Sequence, residues 1–135
     1  MKLKLLLRIA AILICLHTIG HTYGVLSFSK NPPNAAVGQV IKDMETNHFE
    51  IMGRDTNLAS FYQGYGYSMT LVLLFFTALL WKLSIDPNRS LIRLVAVFLI
   101  ILGLIEYIFF FPLPAALSLL AGISTIAALF NYQKN

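Results

Sequence analysis

Two histidines and one carboxylate are the residues of this sequence placed to do chemistry, because each stands inside apolar sequence. His17 and His21 lie in Leu16-His17-Thr18-Ile19-Gly20-His21-Thr22-Tyr23-Gly24, late in the first hydrophobic run. Four residues apart on an α-helix, their side chains share a face. Gly20 and Gly24 flank that face, a spacing that would let another helix come close. Glu106 is the one acidic residue within any of the long apolar runs. A carboxylate at mid-membrane costs ~2.5 kcal/mol or more on insertion scales, and such residues mark functional sites by default.

Three roles are open to these side chains. One is a metal site: two His at four-residue spacing hold one ion on a helix face, and Glu106 supplies a third ligand. His48 or Glu50 would then be a fourth. Thr18 stands where a His-Glu-x-x-His protease motif needs its glutamate, so that motif is absent. A b-type haem fits poorly, since its axial histidines approach from opposite sides and these two point the same way. The second role is a protonatable site that binds a small ligand or moves a proton, because His titrates near neutral pH. The third is a hydrogen-bonded clamp between helices with no further task. The sequence specifies no cofactor.

Hydrophobic runs that can position these groups occur four times, at about 5–23, 60–83, 91–111 and 115–131. Each approaches the ~20 residues that cross a ~30 Å hydrocarbon core. At a rise of ~1.5 Å per residue, Glu106 lies ~22 Å beyond Leu91, and His17 and His21 lie ~18 and ~24 Å beyond Leu5. All three belong to one outer slab, and Tyr62, Tyr65 and Tyr107 fall at similar depth. A His–Glu pair between the first and third runs is therefore expected, with Gly103 opening the approach and the tyrosines completing the network.

The chain has 135 residues, 58% hydrophobic and 12% charged. Soluble domains are closer to half and a quarter, so the class is a polytopic membrane protein with one domain spanning 1–135. The expected fold is all-α: an integral membrane, antiparallel four-helix bundle. The segment 25–59 forms its outer loop. Within it, Val37, Val40, Ile41, Met44 and Ile51 recur at helical spacing over Ala35–Met52, which predicts a short amphipathic helix on the membrane or over the bundle mouth. Asn34 would cap that helix, Gly53-Arg54-Asp55-Thr56-Asn57 would end it, and Thr56 or Asn57 would cap the next. Pro114 suits the first turn of the last helix.

The Lys and Arg positions orient the chain. With a cytoplasmic N-terminus, Lys2, Lys4, Arg8, Lys82, Arg89, Arg93 and Lys134 lie inside, and only Lys30, Lys42 and Arg54 outside, as the positive-inside rule requires. Arg8 would snorkel to the inner interface. The net charge of +4 is thus topological rather than a nucleic-acid patch. Cys15, the single cysteine, reads as a small buried hydrophobe. The basic start and apolar core suit a signal peptide, but Thr22-Tyr23-Gly24 is a poor cleavage site and no lipoprotein box precedes Cys15, which favours a retained anchor. Tyr62, Tyr65, Tyr67 and Trp81 read as interfacial belts. Arg54 and Asp55 read as a solvated turn before any headgroup site. No Ser-His-Asp set, phosphate-cradling glycine loop or cysteine pair is visible.

The combination of Leu16-His17-Thr18-Ile19-Gly20-His21-Thr22, Arg54, Phe61-Tyr62-Gln63-Gly64-Tyr65-Gly66 and Leu79-Leu80-Trp81 resembles a family of small four-span bacterial inner-membrane proteins to which no activity is assigned. The resemblance implies a multi-pass bundle in a bacterial inner membrane and carries no catalytic residue. The functional expectation is a non-enzymatic membrane protein that binds a small or lipidic ligand, or a membrane partner, through an outward-facing cluster of His17, His21 and Glu106. A homodimer is compatible with that expectation. The alternatives are a metal-dependent membrane enzyme on the same residues and a small proton-coupled transporter.

Overall fold

The computed structural model describes residues 2–132, and the expected polar tail from Gln133 onward, with Lys134, lies outside them. In chain order the elements are α1 (Lys2–Ser27), α2 (Ala35–Thr46), β1 (His48–Ile51), β2 (Arg54–Asn57), α3 (Leu58–Ile85), α4 (Arg89–Phe109) and α5 (Pro112–Phe130). Four of these helices, α1, α3, α4 and α5, are long and apolar enough to cross a membrane.

The helix boundaries follow from capping chemistry. Asn34 accepts from the Val37 amide at 2.9 Å and starts α2. Of the two residues expected to cap the second span, α3, Asn57 does so, accepting from the Ser60 amide at 2.8 Å. Asn88 caps α4 through the Leu91 amide at 3.0 Å. Each of these side chains satisfies an amide that has no partner inside its own helix. Pro112 and Pro114 fall in the first turn of α5, where a missing N–H costs nothing.

The outer segment corrects one expectation. The amphipathic helix predicted over 35–52 stops at Thr46. The next residues pair as an antiparallel hairpin, His48 with Asn57 and Ile51 with Arg54. Met52 and Gly53 form its turn with φ of 52° and 78°. Positive φ at both turn residues matches the right-handed twist of the flanking strands, and this local chemistry outweighs the helical spacing of Ile51.

Contacts divide the chain into two units, Met1–Ile19 with Val72–Asn135, and Gly20–Leu71. In the first unit, buried positions recur in helical stripes: Leu7, Ala10, Ala11, Ile14 and His17 on α1; Ile92, Val95, Ala96, Leu99, Leu102 and Glu106 on α4; Ala115, Ser118, Ala121, Thr125 and Ala128 on α5. Polar ties cross between the helices. Ser124 Oγ donates to the Leu6 carbonyl at 2.8 Å. The Arg8 guanidinium, expected to snorkel, lies 5.0 Å from the Trp81 ring centroid, a cation–π distance. The Tyr132 hydroxyl donates to the Pro87 carbonyl at 3.4 Å. The N-terminal part of α1 thus meets the end of α3, and the end of α5 meets the α3–α4 link.

Close backbone approach falls at other glycines than Gly20 and Gly24. A Cβ at either of those would meet nothing within 4 Å among the described residues. A Cβ at Gly103 would lie 2.6 Å from Leu119 Cγ, and one at Gly122 would lie 2.8 Å from Ile100 Cδ1. These two glycines set the α4–α5 packing; at Gly103 the neighbour is Leu119 of α5, rather than the first run as expected.

In the second unit, the later part of α1 packs on the start of α3. Val25 occupies the space a Cβ at Gly66 would need, and Phe28 stacks on Tyr62 with ring centroids 4.2 Å apart. Phe49 of the hairpin stacks on Phe61. Asn57 also donates through Nδ2 to the Glu45 carbonyl at 3.0 Å, so one side chain ties the end of α2 to the start of α3. We expect Asn57→Ala to cost about 1–2 kcal/mol of local stability. Hydrogen exchange of the Ser60 amide should accelerate, while exchange in α5 should not change.

Candidate functional site: a buried histidine, serine and glutamate

His17 and Glu106 are brought together, as their depths imply. His17 Nε2 lies 3.4 Å from Glu106 Oε1, and the two side chains are 5% and 4% exposed. The other ring nitrogen, Nδ1, is 3.1 Å from Ser118 Oγ. Each residue occupies the buried stripe of its own helix, so the periodicity that builds the core also delivers three polar groups to one place. Ser118 has no exposed surface. Its hydroxyl also interacts with the Glu106 carboxyl, so three side chains from α1, α4 and α5 close a triangle.

The distances define what this triangle can do. At 3.4 Å the imidazole–carboxyl contact is long for a hydrogen bond. Glu106 Oε2 is buried and has no hydrogen-bond partner among the described residues. Such an orphan costs on the order of 1–3 kcal/mol, and it is an acceptor waiting for a donor. The network can hold one proton in two neutral ways. In one, the carboxyl O–H donates to Nε2 and Nδ1–H donates to Ser118. In the other, the carboxylate accepts from a doubly protonated ring.

A serine beside a histidine and an acid invites comparison with a hydrolase triad, and the surroundings argue against that use. Ser118 sits inside α5, where the backbone amides are engaged in the helix, so no free pair of N–H groups is available to stabilise an oxyanion.

The other expected members are placed elsewhere. His21 Nε2 lies 3.0 Å from the Gly66 carbonyl oxygen. A carbonyl can only accept, so this nitrogen carries the proton. The same carbonyl accepts from Thr70 Oγ1 at 3.1 Å. For the metal reading from His17, His21 and Glu106, among the described residues no three His, Cys, Asp or Glu side chains are grouped so that they could hold an ion. His48, considered as a fourth ligand, pairs with Asp55 at 2.9 Å on an exposed face, and Glu50 is exposed. Tyr62 stacks on Phe28. Tyr65 is 73% exposed and lines a separate groove, and Tyr107 is 69% exposed.

No protein-family model, curated protein or solved structure matches this chain.

Ser118 is the residue that reading the sequence missed as a site member. It was visible only as one small residue among many in the last apolar run. Its place at i+3 from Ala115 and i−3 from Ala121, in the stripe that faces the other helices, is the signal that could have found it.

Proposed function

We propose that this is a multi-pass protein of a bacterial inner membrane that binds a small or lipidic ligand carrying a hydrogen-bond donor. The four long helices form an antiparallel bundle with both termini in the cytoplasm, the orientation that places seven of the ten Lys and Arg residues inside. The ligand's donor group binds at Glu106, beside His17 and Ser118. One observation carries this reading: among the described residues Glu106 Oε2 is buried without a hydrogen-bond partner, in an apolar interior where such a group is costly. Binding, rather than catalysis, is favoured because the adjacent serine lacks oxyanion donors.

The test is native mass spectrometry of the full chain extracted with its own membrane lipids. Wild type is expected to carry a bound species with an amine or hydroxyl head. That species should be lost in Glu106→Leu and retained in Tyr107→Phe, whose hydroxyl lies outside the network. Identical bound species in wild type and Glu106→Leu would overturn the proposal.

A further inference from the structure

A second candidate site is built from other residues, in the groove between the hairpin and the start of α3. It has a volume of about 490 Å³ and is lined by Ile51, Arg54, Thr56, Ser60, Phe61, Gly64, Tyr65 and Ser68. This is within the size range of small-molecule sites. We propose that this groove binds the headgroup of an anionic phospholipid, with Arg54 as its charge partner.

Charge separation across the hairpin points to that occupant. Side chains alternate between the two faces of a strand, and Ile51 pairs with Arg54, Glu50 with Asp55 and Phe49 with Thr56. Ile51, Arg54, Phe49 and Thr56 therefore share the face turned to α3, which the Phe49–Phe61 stack confirms. Glu50 and Asp55 share the opposite face, where Asp55 is engaged with His48. Both acids of the hairpin are thus kept out of the groove, and its one cation is kept in. Arg54 makes no ion pair among the described residues. Its planar fork matches two phosphate oxygens.

The opposite wall completes the fit. Ser60, Gly64 and Ser68 follow one another at four-residue spacing along α3, beside Phe61 and Tyr65. A Cβ at Gly64 would meet nothing within 4 Å, so the wall is open at the middle of this stripe. Hydroxyls of Thr56, Ser60 and Ser68 can donate to phosphate and glycerol oxygens. Exposed Phe61 and Tyr65 offer apolar surface where an acyl chain would begin. Such aromatics at the start of a long apolar helix suit the headgroup level of a bilayer.

The full chain in zwitterionic nanodiscs should be titrated with phosphatidylglycerol, phosphatidylcholine and water-soluble glycerol 3-phosphate, with bound lipid read by native mass spectrometry. Wild type is expected to prefer phosphatidylglycerol over phosphatidylcholine, with little binding of glycerol 3-phosphate. Arg54→Gln should weaken phosphatidylglycerol binding about tenfold, as loss of a charge-assisted contact does. Gly64→Leu, which fills the groove and leaves the charge in place, should weaken it comparably. Arg54→Lys should restore part of the affinity, and Lys30→Gln, a cation outside the groove, should change little. Equal phosphatidylglycerol binding by wild type and Arg54→Gln, both shown by circular dichroism to be folded, would overturn the proposal. So would glycerol 3-phosphate competing at the affinity of the lipid, which would make the occupant a free phosphate ester.

Discussion

Replacing His17 with leucine is expected to destabilise the protein by about 3 kcal/mol, the cost of stranding a buried polar partner. The substitution removes the imidazole from Glu106 Oε1 and takes one contact from Ser118, leaving that hydroxyl as the polar neighbour of the carboxyl. Glu106→Leu should cost a similar amount by removing the carboxyl contact at His17 Nε2. The double variant His17→Leu with Glu106→Leu should be far more stable than the sum of the two losses predicts. It leaves only Ser118, whose hydroxyl can turn to a carbonyl one turn back on its own helix. Reversible unfolding in mixed detergent micelles, run as a double-mutant cycle, measures this. A coupling energy near zero would show that the imidazole and carboxyl act independently, and the network would lose its meaning.

The second large effect concerns the α4–α5 pair. Gly103→Ala places a methyl group 2.6 Å from Leu119 Cγ and 3.0 Å from the Leu119 backbone nitrogen. A flexible side chain can move aside, but backbone cannot do so without shifting the helix. The expected loss is about 1–3 kcal/mol, the range for overpacking a filled interior. Gly122→Ala should behave alike, since its added methyl group would approach the Ile100 backbone nitrogen at 3.2 Å. Gly20→Ala is the control. Its Cβ meets nothing, and alanine favours helix by up to ~1 kcal/mol over glycine. The three variants should therefore split in sign in the same unfolding assay. A loss at Gly20 as large as at Gly103 would contradict this account of the packing.

Most of the fold was legible because membrane-length apolar runs leave few choices. The backbone must satisfy itself inside the run, which makes it helical. The His17–Glu106 pairing was legible from depth alone, because rise per residue is nearly constant. His21 was not, for a related reason. A four-residue step gives about 400° of rotation, so the two rings share a face only loosely, and one more turn brought His21 to the Gly66 carbonyl instead. The hairpin was hidden by Ile51, whose spacing continued the α2 pattern, and by Met52 in a conformation usually held by glycine or asparagine. The face on which Arg54 lies could not be read until strand pairing fixed the register. Ser118 was obscured by company, since the last run is rich in small residues and only tertiary packing distinguishes one of them.

The link between α4 and α5 bears on how helices long and apolar enough to cross a membrane would enter one. Only Phe110 and Phe111 separate the two helices, and both are exposed. From Arg93 to Lys134 the one charged side chain is Glu106. A helical hairpin of this kind has an oily tip and no cation to drag through hydrocarbon. In the proposed membrane bundle such a hairpin would enter as a unit, and Glu106 would then meet His17 in a helix made earlier in synthesis.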